Sequence, residues 1–220
     1  MTGEMLRVVL IGGTSHTGKS TLARVVAERL GFECRSTDTL ARHPGRPWPV
    51  PGWELPPHVA DHYRTLSVEE LIASVLGHYA RLRPRIEELV AGRVADGDGP
   101  GLVLEGSALW PAAVAGLVGP GTAALWLTAE EAVLRDRIRR GGRYTEADED
   151  GRYLMDAFLA RSVRYQELML EDLDRLGLDR LDAGHGRTAE ELADAVLAAR
   201  CVPGRRPAGG GSRTDPRGAG

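Results

Sequence analysis

Apolar and polar positions alternate along this chain with two periods. Five short runs, 6–11, 32–38, 102–106, 122–127 and 178–182, read as strands. The first, Leu6-Arg7-Val8-Val9-Leu10-Ile11, is apolar and β-branched at three positions, as suits a strand buried on both faces. Spacings of three and four between these runs predict helices. Leu22, Val25, Val26 and Leu30 define one, stopped by Gly31. Leu71, Val75, Tyr79 and Leu82 define a second, which Pro84 either kinks or restarts through Ile86, Leu89 and Val94. Val133, Leu134 and Ile138 mark a third, about Tyr153 to Leu176 a long fourth, and the last ends near Arg200. Ser67-Val68-Glu69-Glu70, Thr128-Ala129-Glu130-Glu131 and Thr188-Ala189-Glu190-Glu191 spell capping boxes. Strands alternating with helices imply a parallel sheet with right-handed crossovers.

The turn after the first strand carries chemistry. It reads Gly12-Gly13-Thr14-Ser15-His16-Thr17-Gly18-Lys19-Ser20-Thr21, and Gly13-x-x-x-x-Gly18-Lys19-Ser20 matches the phosphate-binding loop in its required strand–loop–helix context. Glycines let backbone N–H groups converge on a polyphosphate, and the helix N-terminus adds partial positive charge. Gly13 through Thr21 are therefore candidate ATP-binding residues, with Lys19 on the β/γ-phosphates and Ser20 on Mg²⁺. Lys19 is the only lysine, against 27 arginines. A compact ammonium is kept at the one position that calls for it.

Two carboxylates are expected at neighbouring strand ends, where open α/β sheets bind ligands. Asp38 follows the second strand and is a candidate to orient or deprotonate an acceptor hydroxyl, the alternative being an Asx turn or a cap. Glu105 closes the third and is a candidate for the metal or its water shell. Residues 42–57 hold six prolines with Arg42, Arg46, Trp48 and Trp53. They read either as a loop pinned over the core or as a substrate-facing wall, with an arginine meeting an anion. Arg135, Arg137, Arg139 and Arg140 lead into Gly141-Gly142-Arg143, read as a hinged flap able to carry arginine onto a phosphoryl group.

Composition narrows the class. A 42% apolar and 27% charged chain of net charge −3 is that of a soluble globular protein, with no sign of a nucleic-acid or membrane surface. Two cysteines and no leader pattern lead us to expect a reducing, cytoplasmic setting. From Pro203 to Gly220 there are six glycines, three prolines, four arginines and no large apolar residue, so 203–220 is expected to be a disordered tail behind a single domain, 1–202.

Gly13–Thr21, Asp38, Leu102–Gly106 and the arginines at 135–143 together resemble the P-loop small-molecule kinases, a group that includes adenylate and gluconate kinases. Ile11-Gly12-Gly13-Thr14-Ser15 and Leu104-Glu105-Gly106-Ser107 look most similar to 2-phosphoglycerate kinase-like proteins. The resemblance implies a three-layer α/β sandwich with a five-stranded parallel sheet of order 2-3-1-4-5 and a small arginine-rich lid near 139–152. It implies transfer of the γ-phosphoryl group of ATP, with Mg²⁺, to a small hydroxyl- or phosphate-bearing acceptor, by a monomer or homodimer. Lys19, Asp38 and Glu105 would act there, with Arg140, Arg143 and Arg161 as candidate lid arginines. The Pro/Trp segment departs from the acceptor patterns of adenylate and gluconate kinases, so their substrates are not carried over. The rival reading is an ATP-binding regulatory protein that phosphorylates no acceptor. A GTPase is excluded, because its Asn-Lys-x-Asp guanine loop needs a second lysine.

Overall fold

The computed structural model describes residues 5–41, 45–184 and 186–200. Arg42 and the 203–220 tail lie outside the described residues. Strands β1 (Val8–Gly13), β2 (Glu33–Ser36), β3 (Leu102–Glu105), β4 (Thr122–Thr128) and β5 (Arg180–Asp182) form one sheet. Its order is β2-β3-β1-β4-β5 and every pairing is parallel, as expected.

Period-two alternation decides which helix covers which face. Val9, Ile11, Val103 and Leu127 pack on Leu22 and Val26 of α1 (Lys19–Leu30) and on Ala193 and Val196 of α7 (Ala189–Arg200). Val8, Leu10, Leu102, Leu104 and Trp126 pack on the opposite side. There α3 (Val68–Ala95), α4 (Pro111–Val114) and α6 (Glu149–Leu176) contribute Ile72, Val75, Val114, Tyr165 and Met169. Burying Val8 through Ile11 on both faces contributes about 1.5–3 kcal/mol per side chain. That burial makes β1 a rigid post for the loop that follows it.

A third cluster sits at the carboxyl end of the sheet. Helices α2 (Pro57–Thr65) and α5 (Glu131–Gly141) close with the first half of α6 over Trp48, Tyr63, Leu134, Leu154 and Phe158. Helix α2 falls just beyond the Pro-rich segment, where no element is expected from the sequence. Pro57 takes the first helical position, where its missing N–H costs nothing.

Three boundaries differ from expectation. Pro84 does not restart a second helix; α3 runs unbroken through it as one 28-residue helix. Leu82 and Ile86 on either side of the proline are buried, and this packing offsets the lost hydrogen bond. Thr128 ends β4 and caps nothing; α5 starts at Glu131 with no side-chain cap. The Gln166 amide instead bonds the Ala129 N–H at 3.0 Å and its carbonyl at 2.7 Å. Helix α6 opens at Glu149, earlier than expected, because the Asp148 carboxylate accepts from the Gly151 N–H at 2.8 Å. The Ser67 and Thr188 boxes both form. Among the described residues, no helix is long and apolar enough to cross a membrane.

Candidate active site

The P-loop leaves β1 and enters α1 at Lys19, with Gly18 as a left-handed N-cap that offers no side chain. Lys19 is buried, and its Nζ donates to the Thr14 carbonyl at 2.7 Å. Burial pulls its pKa below the ordinary lysine value, while the Glu105 and Asp38 charges act in the other direction. Thr14 and Thr17 are structural ties. The Thr17 hydroxyl donates to the Thr14 carbonyl at 2.9 Å, and the Thr14 hydroxyl donates to the Ser162 carbonyl of α6 at 2.8 Å. Thr21 is exposed on α1.

Glu105 stands at the end of β3, paired in register with Ile11 of β1 and Ser36 of β2. It is 5% exposed and accepts from Ser20 Oγ at 3.0 Å. Mg²⁺ binds through one or two protein oxygens and takes its remaining ligands from phosphate and water. The Ser20 hydroxyl and the Glu105 carboxylate fit that donor set. Gly106 follows with φ +150°, and a Cβ there would lie 1.8 Å from Thr37 Oγ1. Only glycine lets β3 end this close to the turn that holds Asp38.

Asp38 lies in the short 3₁₀ turn Thr37–Thr39 after β2, its N–H bonded to Ser36 Oγ at 3.3 Å. Its carboxylate is exposed toward a cleft of about 950 Å³. Ser15, His16, Lys19, Ser20 and Glu105 form the phosphate-loop side of that cleft. Arg46, Trp53, His58, Tyr79 and Leu82 line it as well, with Phe158 and Arg161 of α6. The cleft thus brings together the P-loop, both strand-end carboxylates, Arg46 and Trp53.

Trp48 is the exception in its segment. It is 2% exposed and is not among the cleft-lining residues. Its ring packs at 5.0 Å on Phe158 and at 5.7 Å on His16, and a Cβ on Gly142 would come within 3.3 Å of it. Trp48 is a core anchor because an indole gains more from burial than from a wet cleft wall. Gly142 lies against the same ring and Met155 Sδ, where a Cβ would sit 2.3 Å from the sulfur. Its lack of a side chain therefore serves close packing.

Arg140 and Arg143 are on the outer surface, paired with Asp136 and Glu146. A shallower depression of about 640 Å³ runs beside them, away from the P-loop. Arg161 is buried to 6% exposure and faces the cleft. Arg164, three residues further along α6, instead pairs with Glu69 and Glu167.

Two further groups shape the site: Arg137, a member of the arginine cluster read as a flap, and Tyr63, which no motif marks. Arg137 donates to the His16 carbonyl at 3.2 Å and to the Ala183 carbonyl at 2.9 Å, tying the P-loop crest to the end of β5. Tyr63, fully buried in α2, accepts from Arg161 Nη1 at 2.7 Å and donates to the Gly45 carbonyl at 2.7 Å. His16 itself takes φ +64°, and its pKa is lowered to about 4, first by burial and then by Arg46, Lys19, Arg161 and Arg137. The imidazole is therefore neutral near pH 7.

Solved structures share this fold over nearly their full length. A gluconokinase from Sinorhizobium meliloti matches with a TM-score of 0.51 and 18% identity, over 91% of this chain and 95% of that one. A shikimate kinase from Aquifex aeolicus matches with a TM-score of 0.50 and 14% identity, over 88% and 95%. The fold is that of this gluconokinase and this shikimate kinase. No protein-family model and no curated protein matches the sequence, so the likeness to these kinases is one of fold.

Proposed function

We propose that the protein is a small-molecule kinase that transfers the γ-phosphoryl group of ATP to an acceptor seated in the cleft. One observation carries this reading. A phosphate-binding loop, the Ser20–Glu105 oxygen pair and the Asp38 carboxylate open onto one cavity, which extends well beyond the loop toward Arg46 and Trp53. A protein that only bound ATP would have no use for a second carboxylate and an acceptor-sized space.

The chemistry asks mainly for positioning and charge neutralisation. P-loop N–H groups and Lys19 would hold the β- and γ-phosphates. Ser20 and Glu105 would hold Mg²⁺, which neutralises charge on the β- and γ-oxygens when bound. Asp38 would accept the proton of the acceptor hydroxyl as its oxygen bonds to the γ-phosphorus. The bond from that phosphorus to the β–γ bridging oxygen breaks, and ADP leaves with the electron pair. Closure of 139–152 would exchange the Asp136 and Glu146 partners of Arg140 and Arg143 for the transferring group.

The test is ADP release from Mg²⁺-ATP in the presence of pooled hydroxylated metabolites. Acceptor-dependent release, lost in Lys19→Ala, is expected. ATP binding with no acceptor-dependent release would establish the regulatory reading instead.

A further inference from the structure

Three of the chain's four tryptophans are used by the fold. Trp48 packs on Phe158 and His16, and Trp110 meets the Tyr165 ring at 5.1 Å. Trp126 is fully buried, its indole N–H on the Leu109 carbonyl at 2.7 Å. Trp53 differs. It is 39% exposed and belongs to none of the three core clusters. Among the described residues no other ring packs on it and no acceptor takes its indole N–H. An indole has a large apolar area to bury, so one kept out of the core leaves stabilisation unrealised.

The backbone holds it out. Pro51 and Gly52, the latter at φ +80°, are the central pair of a four-residue turn. Val50 and Trp53 close that turn with two N–H···O=C bonds of 3.1 and 2.9 Å. Proline second and a positive-φ glycine third are what a type II turn asks for. Trp48, just before it, pins the same segment into the core. The indole is thus presented on a rigid support, and little order remains to be imposed when a ligand arrives. It faces the same cleft as Asp38, which Pro56, Val59, Tyr79 and Leu82 also line with uncharged, mostly apolar surface.

From this juxtaposition we infer that the cleft takes an acceptor built on a ring, whose flat face stacks on Trp53 while one of its hydroxyls meets Asp38. Trp53 is then a specificity-determining residue. The negative face of an indole attracts the C–H groups of a saturated ring and the positive edge or offset face of an aromatic one. Either ring presents its surface ready-made, whereas an acyclic chain must freeze its torsions to match it. The word acceptor rests on the phosphotransfer reading; the stacking platform does not.

The experiment fills the donor site of the full chain with Mg²⁺ and a non-hydrolysable ATP analogue. Methyl pyranosides, cyclitols, aryl-substituted polyols and acyclic polyols of matching carbon number are then titrated by calorimetry. At least one ring-bearing arm should bind about 10-fold or more tightly than its acyclic counterpart, and the arm that does so names the ring. Trp53→Ala should weaken that arm by about 5- to 100-fold and erase the preference. Trp53→Phe, which keeps a flat face, should retain most of it, and Trp53→Leu, which keeps only apolar bulk, should not. Equal binding of ring and chain, no binding at millimolar concentration, a preference that survives Trp53→Ala, or leucine serving as well as phenylalanine would overturn the inference. So would a Trp53→Ala variant that melts far below the wild type, which would make the indole a structural anchor. Loss of the ATP analogue in Trp53→Ala would also overturn it, by placing the donor's base on the indole. ADP release is scored separately: ring binding without it would refute the kinase reading and leave the platform standing.

Discussion

Ser20 Oγ donates to Glu105 Oε1 across 3.0 Å, so the first turn of α1 and the end of β3 meet at one oxygen pair. The two residues are 85 positions apart in sequence. Parallel pairing of β1 with β3 brings them together, because Ile11 stands opposite Glu105 just before the P-loop begins. If this pair holds Mg²⁺, Glu105→Gln should leave metal-free ATP affinity within about twofold and remove most of the gain from adding Mg²⁺. Turnover should fall by about 10²–10³. Titration of a fluorescent ATP analogue with and without Mg²⁺ reads the first effect. A mutant with a full Mg²⁺ response would place the metal elsewhere.

Asp38 carries a different expectation. If, as proposed, it meets the acceptor rather than the nucleotide, Asp38→Asn should lower kcat by about 10²–10⁴ with little change in KM for ATP. Steady-state kinetics separate the two. A raised KM for ATP with unchanged kcat would move Asp38 out of the proton-accepting role.

His16 links stability to pH. Its folded pKa of about 4 lies below the usual 6.5. Between those values the unfolded chain takes up a proton that the folded chain refuses. The contribution to stability is therefore complete above pH 6.5 and is lost as pH falls toward 4, by on the order of 2–3 kcal/mol. Asparagine tolerates the positive φ and does not titrate. Thermal melts of His16→Asn from pH 7 to pH 4.5 should decline less steeply than those of the wild type. Parallel curves would show that His16 is protonated in the folded state.

The flap makes its own prediction. Arg140 and Arg143 are exposed and paired with neighbours on their own segment. Replacing both with alanine should leave ATP-analogue affinity unchanged and lower kcat by about 10- to 100-fold. An unaltered kcat would confine the two arginines to the outer surface.

Much of this site is legible in the chain because its signals are local. The apolar run Leu6–Ile11, the spacing of Gly13, Gly18 and Lys19, and an apolar strand ending in Glu105 each report on a few adjacent residues; strand–helix alternation then implies a parallel sheet, and the resemblance to the kinases supplies its order. The acceptor side is built from distant contacts that leave no such trace. Trp48 has the look of a pocket wall until Phe158, more than 100 residues later, is seen to cover it. Thr128 reads as a cap because its spacing to Glu131 is right, yet Gln166 on α6 bonds the backbone there instead. Tyr63 belongs to no motif. Its role arises because α2 and α6 pack side by side and bring Arg161 to its hydroxyl.

The central claim is that the cleft joins a phosphoryl donor to an acceptor. ³¹P NMR of the protein with Mg²⁺-ATP and hydroxylated acceptors tests it directly. A new phosphorylated product should grow in one-to-one proportion with ADP and be absent with Lys19→Ala. ADP accompanied only by free inorganic phosphate, or bound ATP that stays intact with every acceptor, would contradict the account.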